Sequence, residues 1–286
     1  MPTESKPSQR GTGTPADGTI RVAAVQMVST PAVERNLIEA RRLIGEAVAR
    51  GARLVALPEY FGIMGMRERD KVAAREAPGK GPIQDFLAAT ARELKVWLVG
   101  GSVPLECSAP EKVRNSCLVY DDEGKLVARY DKIHLFSFET EKERYAEDRT
   151  IEPGGEVVTV DSPCGRLGLS ICYDLRFPEL YRSMGEVDLI LVPSSFTATT
   201  GRAHWETLLR ARAIENLCYV LAPAQGGKHE NGRETNGDTM AVDPWGIVLE
   251  RIPSGPGVVV ADMDLARMAK VRRSLPALTH RTLHRC

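Results

Sequence analysis

The sequence predicts an α/β protein of mixed sheets covered by helices, and three observations predict it. Short β-rich apolar runs alternate with segments of helical period from Ile20 onward. Turn-forming clusters join two pairs of strands as hairpins. No Pro/Ser linker, charge run or internal repeat divides the chain after residue 20. We therefore read residues 1–19, rich in Pro, Ser, Thr and Gly and lacking an apolar signal core, as a disordered tail. Residues 20–286 read as a single domain.

Each element follows from its own pattern. Ile20 to Met27 reads as a strand, Leu37, Ala40, Ile44, Ala47 and Val48 share one helical face, and Leu54 to Leu57 is a short apolar run stopped by Pro58. Ile83, Leu87, Ala91 and Leu94 mark a second amphipathic helix, followed by a buried strand from Val96 to Val99. Asn115–Tyr120 and Leu126–Tyr130 flank Asp121, Asp122, Glu123 and Gly124, whose side chains favour a tight turn, and so form a hairpin. Arg166–Ile171 and Leu189–Val192 return to strand character. A helix from about Arg202 to Asn216 follows, then a strand from Cys218 to Ala222 and a second hairpin turning at Asp243-Pro244-Trp245-Gly246.

Composition narrows the function. Lys plus Arg and Asp plus Glu are 38 each, so no global positive field attracts nucleic acid or an anionic membrane. No run approaches the length of apolar chain that spans a bilayer. Six scattered cysteines, Cys107, Cys117, Cys164, Cys172, Cys218 and Cys286, form no CxxC pair and no Cys/His group at zinc spacing, which argues against a disulfide framework or a structural metal and for a cytoplasmic setting.

Three segments carry chemistry, each where a strand ends. Leu57-Pro58-Glu59-Tyr60-Phe61 puts a carboxylate just beyond an apolar strand, where ligands of α/β folds gather. In Tyr130-Asp131-Lys132-Ile133-His134, Lys132 follows the second arm of the first hairpin. In Gly168-Leu169-Ser170-Ile171-Cys172-Tyr173-Asp174, an apolar strand runs into Cys172 and then a polar turn, the pattern of a nucleophile elbow in which the N–H of Tyr173 faces a developing oxyanion. Taken singly, Glu59 also reads as a solvated loop acid, Lys132 as a charged guard of a strand edge, and any one cysteine as inert packing.

Together the three, in this order, resemble the carbon-nitrogen hydrolase (nitrilase-like) superfamily, and the resemblance covers nearly the whole chain after Ile20. It implies a four-layer αββα sandwich, a homodimer or higher homo-oligomer, and hydrolysis of a small-molecule carboxamide through a thioester, with release of ammonia and without cofactor or metal. It places the general base at Glu59, the oxyanion-side lysine at Lys132, the nucleophile at Cys172 and a second acid at Glu147, which stands ahead of Ile151-Glu152-Pro153-Gly154. A thiol with its ordinary pKa of roughly 8.5 is mostly protonated at neutral pH, so a carboxylate beside it has a task.

Finer segments, Cys172 to Leu180, Thr200 to Glu206, Leu209 to Asn216, Asp243 to Gly246 and Val271 to Pro276, look like the deaminated glutathione amidases, with the ω-amidases close behind. On that reading Arg176, with Thr200 nearby, holds a substrate carboxylate; pairing of Arg176 with an acid of the protein itself is the alternative. Asn236-Gly237-Asp238-Thr239 departs from the Trp-Gly-His-Ser more usual in these groups, and it weakens the carried-over specificity if it borders the substrate entrance. Nitrile or N-carbamoyl hydrolysis begins with the same thiol attack. Two readings of other classes also stand: a Cys-His hydrolase using His134 or His204, and a non-catalytic binding protein on the same fold.

Overall fold

The computed structural model describes residues 18–141 and 144–282, so most of the expected N-terminal tail and Cys286 lie outside the described residues. In chain order the elements are β1 (Thr19–Gln26), α1 (Val33–Ala49), β2 (Leu54–Ala56), α2 (Asp70–Ala73), α3 (Pro82–Leu94), β3 (Trp97–Val99), β4 (Val103–Leu105), β5 (Arg114–Tyr120), β6 (Leu126–Asp131), β7 (Ser137–Glu139) and β8 (Arg144–Ala146). There follow β9 (Thr159–Ser162), β10 (Gly165–Leu169), α4 (Pro178–Ser183), β11 (Leu189–Leu191), α5 (Ala198–Asn216), β12 (Tyr219–Ala222), β13 (Thr239–Val242), β14 (Val248–Ile252), β15 (Gly257–Asp264) and α6 (Leu265–Ser274).

The strands form two large sheets and a small ribbon. The first sheet runs β15-β1-β2-β3-β5-β4, with β6 also paired to β5; the second runs β14-β13-β12-β11-β10-β9; β7 and β8 pair with each other. Within each large sheet a parallel centre, β1-β2-β3 and β10-β11-β12, is flanked by antiparallel strands, because the helical crossovers return the chain in one direction and the hairpins reverse it. Both expected hairpins are present, β5 with β6 and β13 with β14.

Strand alternation makes the layers. Val22 and Ala24 of β1 face the core between the two sheets, whereas Ala23 and Val25 turn to the other face, where they pack with Ala40, Leu43 and Ile44 of α1 and Leu87 of α3. On the far side of the second sheet, Trp205, Leu209 and Ala213 of α5 and Leu180 of α4 close the core. The order of layers is helix, sheet, sheet, helix, as the resemblance implied. Each fully buried Leu or Ile contributes roughly 1.5–3 kcal/mol to that packing.

The elements differ from expectation mainly at ends and edges. α5 begins at Ala198, ahead of the expected Arg202, because the Thr197 side chain caps it by accepting from the Thr200 N–H. β15, which no local signal announced, pairs antiparallel with β1 along the whole of both strands, from Thr19 opposite Asp264 to Gln26 opposite Gly257.

Candidate active site

Each candidate side chain leaves the end of a strand. Glu59 lies just past β2 and Lys132 just past β6 in the first sheet, Cys172 just past β10 in the second, and Glu147 opens a one-turn helix, Glu147–Arg149, after β8. Two glycines let these segments close. A Cβ at Gly101 would stand 2.1 Å from the Pro58 carbonyl oxygen beside Glu59, and one at Gly154 would stand 2.2 Å from the Asp131 carbonyl oxygen beside Lys132. The Gly154 N–H donates to the Lys132 carbonyl at 2.8 Å, which gives the Pro-Gly pair its structural task. The Glu59 carbonyl accepts from Gln225 Nε2 at 3.0 Å, so residues near both sheets hold this backbone.

The structure brings Glu59, Lys132, Glu147 and Cys172 together. Lys132 Nζ donates to Glu59 Oε1 at 2.8 Å and to Glu147 Oε2 and Oε1 at 2.8 and 3.0 Å. Glu59 and Lys132 are each 1% exposed, so neither is the solvated acid or the edge guard that its residue type alone allows. Asn115 Nδ2 donates to Glu59 Oε1 at 2.9 Å. Tyr60 Oη and the Phe136 N–H donate to Glu147 at 2.9 and 2.8 Å. Sequence reasoning missed Asn115, Tyr60 and the Phe136 amide; Tyr60 stands inside a quoted motif, but its partner is distant in the chain.

The electrostatics divide the two carboxylates. Burial, reinforced by Glu147, raises the Glu59 carboxyl pKa despite the pull of Lys132 and a hydrogen bond with Cys172. Burial also opposes ionisation of Glu147, but Lys132, Lys71 and the Phe136 amide outweigh it and hold that acid below the ordinary glutamate value. For Lys132, burial is overcome by Glu147, Glu59 and Cys172, and the ammonium is held well above the lysine range. Lys132 thus stands charged between two carboxyls, of which Glu59 takes up a proton more readily than Glu147.

Cys172 occupies an elbow. Its φ is +51°, a conformation that costs a non-glycine residue roughly 1–2 kcal/mol, and the other described cysteines do not share it. The Cys172 N–H donates to the Pro193 carbonyl at 2.9 Å, and the one-turn helix Cys172–Arg176 begins at once. The Tyr173 N–H is in the first turn of that helix, where an amide has no acceptor within the helix itself. Burial and Glu59 push the Cys172 thiol well above its ordinary value, against the pull of Lys132 and the Ser195 N–H, so the resting thiol is protonated. Cys117 and Cys218 are pushed by burial to about 12 and Cys164 to about 11, without a comparable cluster of acid and ammonium.

Asp174 holds the elbow, a role not read from sequence. Its carboxylate accepts from Tyr130 Oη at 2.7 Å, the Ile171 N–H at 2.8 Å and the His134 N–H at 3.0 Å, and the His134 Nδ1 lies 2.7 Å away. His134 also stacks on Phe177, centroids 3.7 Å apart. His134 is therefore engaged with Asp174 and Phe177, and His204 with Arg176 at 3.2 Å. Leaving several buried donors unpaired costs about 1–3 kcal/mol each. Asp174→Ala is expected to lower stability by more than about 3 kcal/mol, read as a fall in the midpoint of denaturant unfolding; an unchanged midpoint would show that the elbow stands without it.

A narrow cleft opens on Cys172, bounded by Phe136, Tyr173, Arg176, Thr200 and the 195–197 segment. Arg176 stands over the rings of Phe196 and Tyr173, at 5.4 and 5.7 Å from their centroids, and among the described residues it makes no ion pair. Thr200 lies in the first turn of α5, its hydroxyl 2.9 Å from that of Thr197. Asp238 does not line the cleft: it is ion-paired with Arg251, which also binds Glu206. The charge change at that position is absorbed by Arg251. Among the described residues no group of three or more His, Cys, Asp or Glu could hold a metal ion, and no helix is long and apolar enough to cross a membrane.

A buried acid, ammonium and thiol set at the strand ends of two stacked sheets defines a hydrolase of carbon–nitrogen bonds other than peptide bonds. The chain belongs to the carbon-nitrogen hydrolase family, whose family model matches residues 21–273. It is 41% identical to the deaminated glutathione amidase of Synechocystis sp., over 91% of this chain and 97% of that one. Among solved structures it resembles Saccharomyces cerevisiae Nit3 of the nitrilase superfamily, with a TM-score of 0.84 and 29% identity over 93% of this chain and 97% of that one. It also resembles a mutant of the amidase from Nesterenkonia sp. AN1 that carries a covalent acetamide adduct at its active site cysteine, with a TM-score of 0.77 and 26% identity over 92% and 99% of the two chains.

Proposed function

We propose that this amidase cleaves the ω-amide of a 2-oxo dicarboxylic acid, with deaminated glutathione as first substrate and α-ketoglutaramate as second. The observation that carries the reading is that Cys172 opens on the same cleft as Arg176, a guanidinium without an ion-pair partner among the described residues. Glu59 takes the Sγ proton as the sulfur attacks the amide carbon. Lys132 Nζ and the Tyr173 N–H stabilise the resulting oxyanion, each such donor being worth about 3 kcal/mol. Protonated Glu59 gives its proton to the leaving nitrogen, the carbon–nitrogen bond breaks and a thioester remains. Glu59 then activates water, the carbon–sulfur bond breaks, and the thiol is restored. Glu147 keeps Lys132 protonated and in place.

Leaving-group chemistry separates the two substrates. Deaminated glutathione has no primary carboxamide, so its cleavage at the ω-amide liberates the amine of cysteinylglycine. Ammonia, the product expected from sequence, belongs to α-ketoglutaramate. The test is chromatographic detection of the common 2-oxo acid product from both, beside a nitrile and an N-carbamoyl amino acid; a strong preference for either of the last two would overturn the substrate assignment.

Arg176 and Thr200, at the N-terminal end of α5, hold the substrate carboxylate in this reading. Arg176→Ala is expected to raise KM for carboxylate-bearing ω-amides by about 10- to 100-fold, since a charged hydrogen-bonded pair is worth roughly 1.5–3 kcal/mol. A neutral amide of similar size should be little affected. Equal effects on both would make Arg176 structural. The reading includes a cytoplasmic enzyme in which residues 20–286 act as one domain, without nucleic acid as a partner. It also includes a homodimer, for which exposed Ile214, Trp245 and Ile247 around the β13-to-β14 turn offer an apolar face.

A further inference from the structure

Ser195 has a hydroxyl that the chemistry above does not use. The residue is 4% exposed, it lines the cleft beside Cys172, and its Oγ makes no hydrogen bond among the described residues. Its neighbours are all occupied: Ser194 Oγ donates to the Val192 carbonyl at 3.0 Å, and the Thr197 and Thr200 hydroxyls bond each other. A buried hydroxyl left unpaired costs about 1–3 kcal/mol, so one kept in a ligand cleft marks a place where a ligand supplies the partner.

Its position says which part of the ligand that is. Ser195 lies between Pro193, whose carbonyl accepts the Cys172 N–H, and Phe196, whose ring lies under the Arg176 guanidinium. An acyl chain bonded to Cys172 at one end, with its carboxylate at Arg176, therefore passes Ser195 along its inner carbons. A plain methylene chain strands the hydroxyl. Of the other lining residues, Phe136, Tyr173 and Phe196 are aromatic, and the Thr197 and Thr200 hydroxyls already bond each other, which leaves the Ser195 hydroxyl as the unpaired one for an inner oxygen.

We propose that Ser195 Oγ donates a hydrogen bond to the 2-oxo oxygen of the substrate and is the residue that distinguishes 2-oxo ω-amides from their unsubstituted counterparts. This inference rests on the functional reading above and goes beyond it. Ser195 is a specificity residue: it takes no part in the movement of protons at Cys172.

The experiment compares Ser195→Ala with the unaltered enzyme on α-ketoglutaramate and on glutaramate, which has the same ω-amide and carboxylate and lacks the oxo group. The expected result is a fall in kcat/KM of about fivefold on α-ketoglutaramate, the worth of one ordinary hydrogen bond, mainly through KM, and no change on glutaramate. The thermal midpoint should hold or rise, because the variant removes an unpaired hydroxyl. Equal losses on both substrates, or no loss on either, would overturn the assignment while leaving the amidase reading intact. Failure of the unaltered enzyme to turn over any 2-oxo ω-amide would overturn the functional reading and this inference with it.

Discussion

Cys172→Ala is expected to abolish turnover, by on the order of 10⁶-fold, as removal of a covalent nucleophile does elsewhere. The loss should come without unfolding. Alanine retains the Cys172 N–H bond to Pro193 and the Asp174 anchor of the elbow, and it gives up only a small buried thiol. Mass spectrometry of the intact protein with a slow amide should find the acyl group on Cys172. Residual full activity, or acyl mass on Cys164 or Cys218, would refute the assignment. Both of those cysteines are fully buried and neither lines the cleft, so an amide does not reach them.

Glu59→Gln should lower turnover by about 10²- to 10⁴-fold, the range for loss of a general base. The amide can still accept from Lys132 and Asn115, and Lys132 keeps its bonds with Glu147, so the fold should survive. His134→Ala should cost far less turnover, because His134 is held by Asp174 and Phe177. The reverse ranking would favour a histidine base.

The pH profile carries the same distinction. A base must be ionised to accept a proton, and burial raises the Glu59 pKa, so activity should fall on acidification at a pH above the ordinary carboxylate range. Glu147 has the opposite shift. The stability it contributes is present above the ordinary glutamate pKa and is lost only as the pH falls through its depressed value. Activity should thus disappear on acidification before the fold does, and the acid limb at higher pH should vanish in Glu59→Gln. Coincident loss of activity and near-ultraviolet circular dichroism would contradict this order.

Much of this molecule was legible because its signals are local. Short apolar runs gave β1, β2 and β10, and turn residues at 121–124 and 243–246 gave the two hairpins. The change from apolar strand to polar turn singled out Cys172, and the structure has a positive φ there. Where weak helix formers follow a cap, periodicity alone misplaced the boundary. The start of α5 contains Thr199, Thr200 and Gly201, weak helix formers, and its beginning is set by the Thr197 cap.

The sequence by itself determined the types of groups available and the order in which they follow strand ends. Only the tertiary structure decided that Glu59, fully buried, and Glu147, partly buried, meet on a single lysine, and that their pKa values part in opposite directions. Lys132 is 73 positions from Glu59 and 15 from Glu147, and Tyr130 reaches Asp174 across 44. Desolvation and charge pairing depend on the distances among such groups once the sheets have stacked. Local propensity and periodicity act over a few residues and contain no information about those distances.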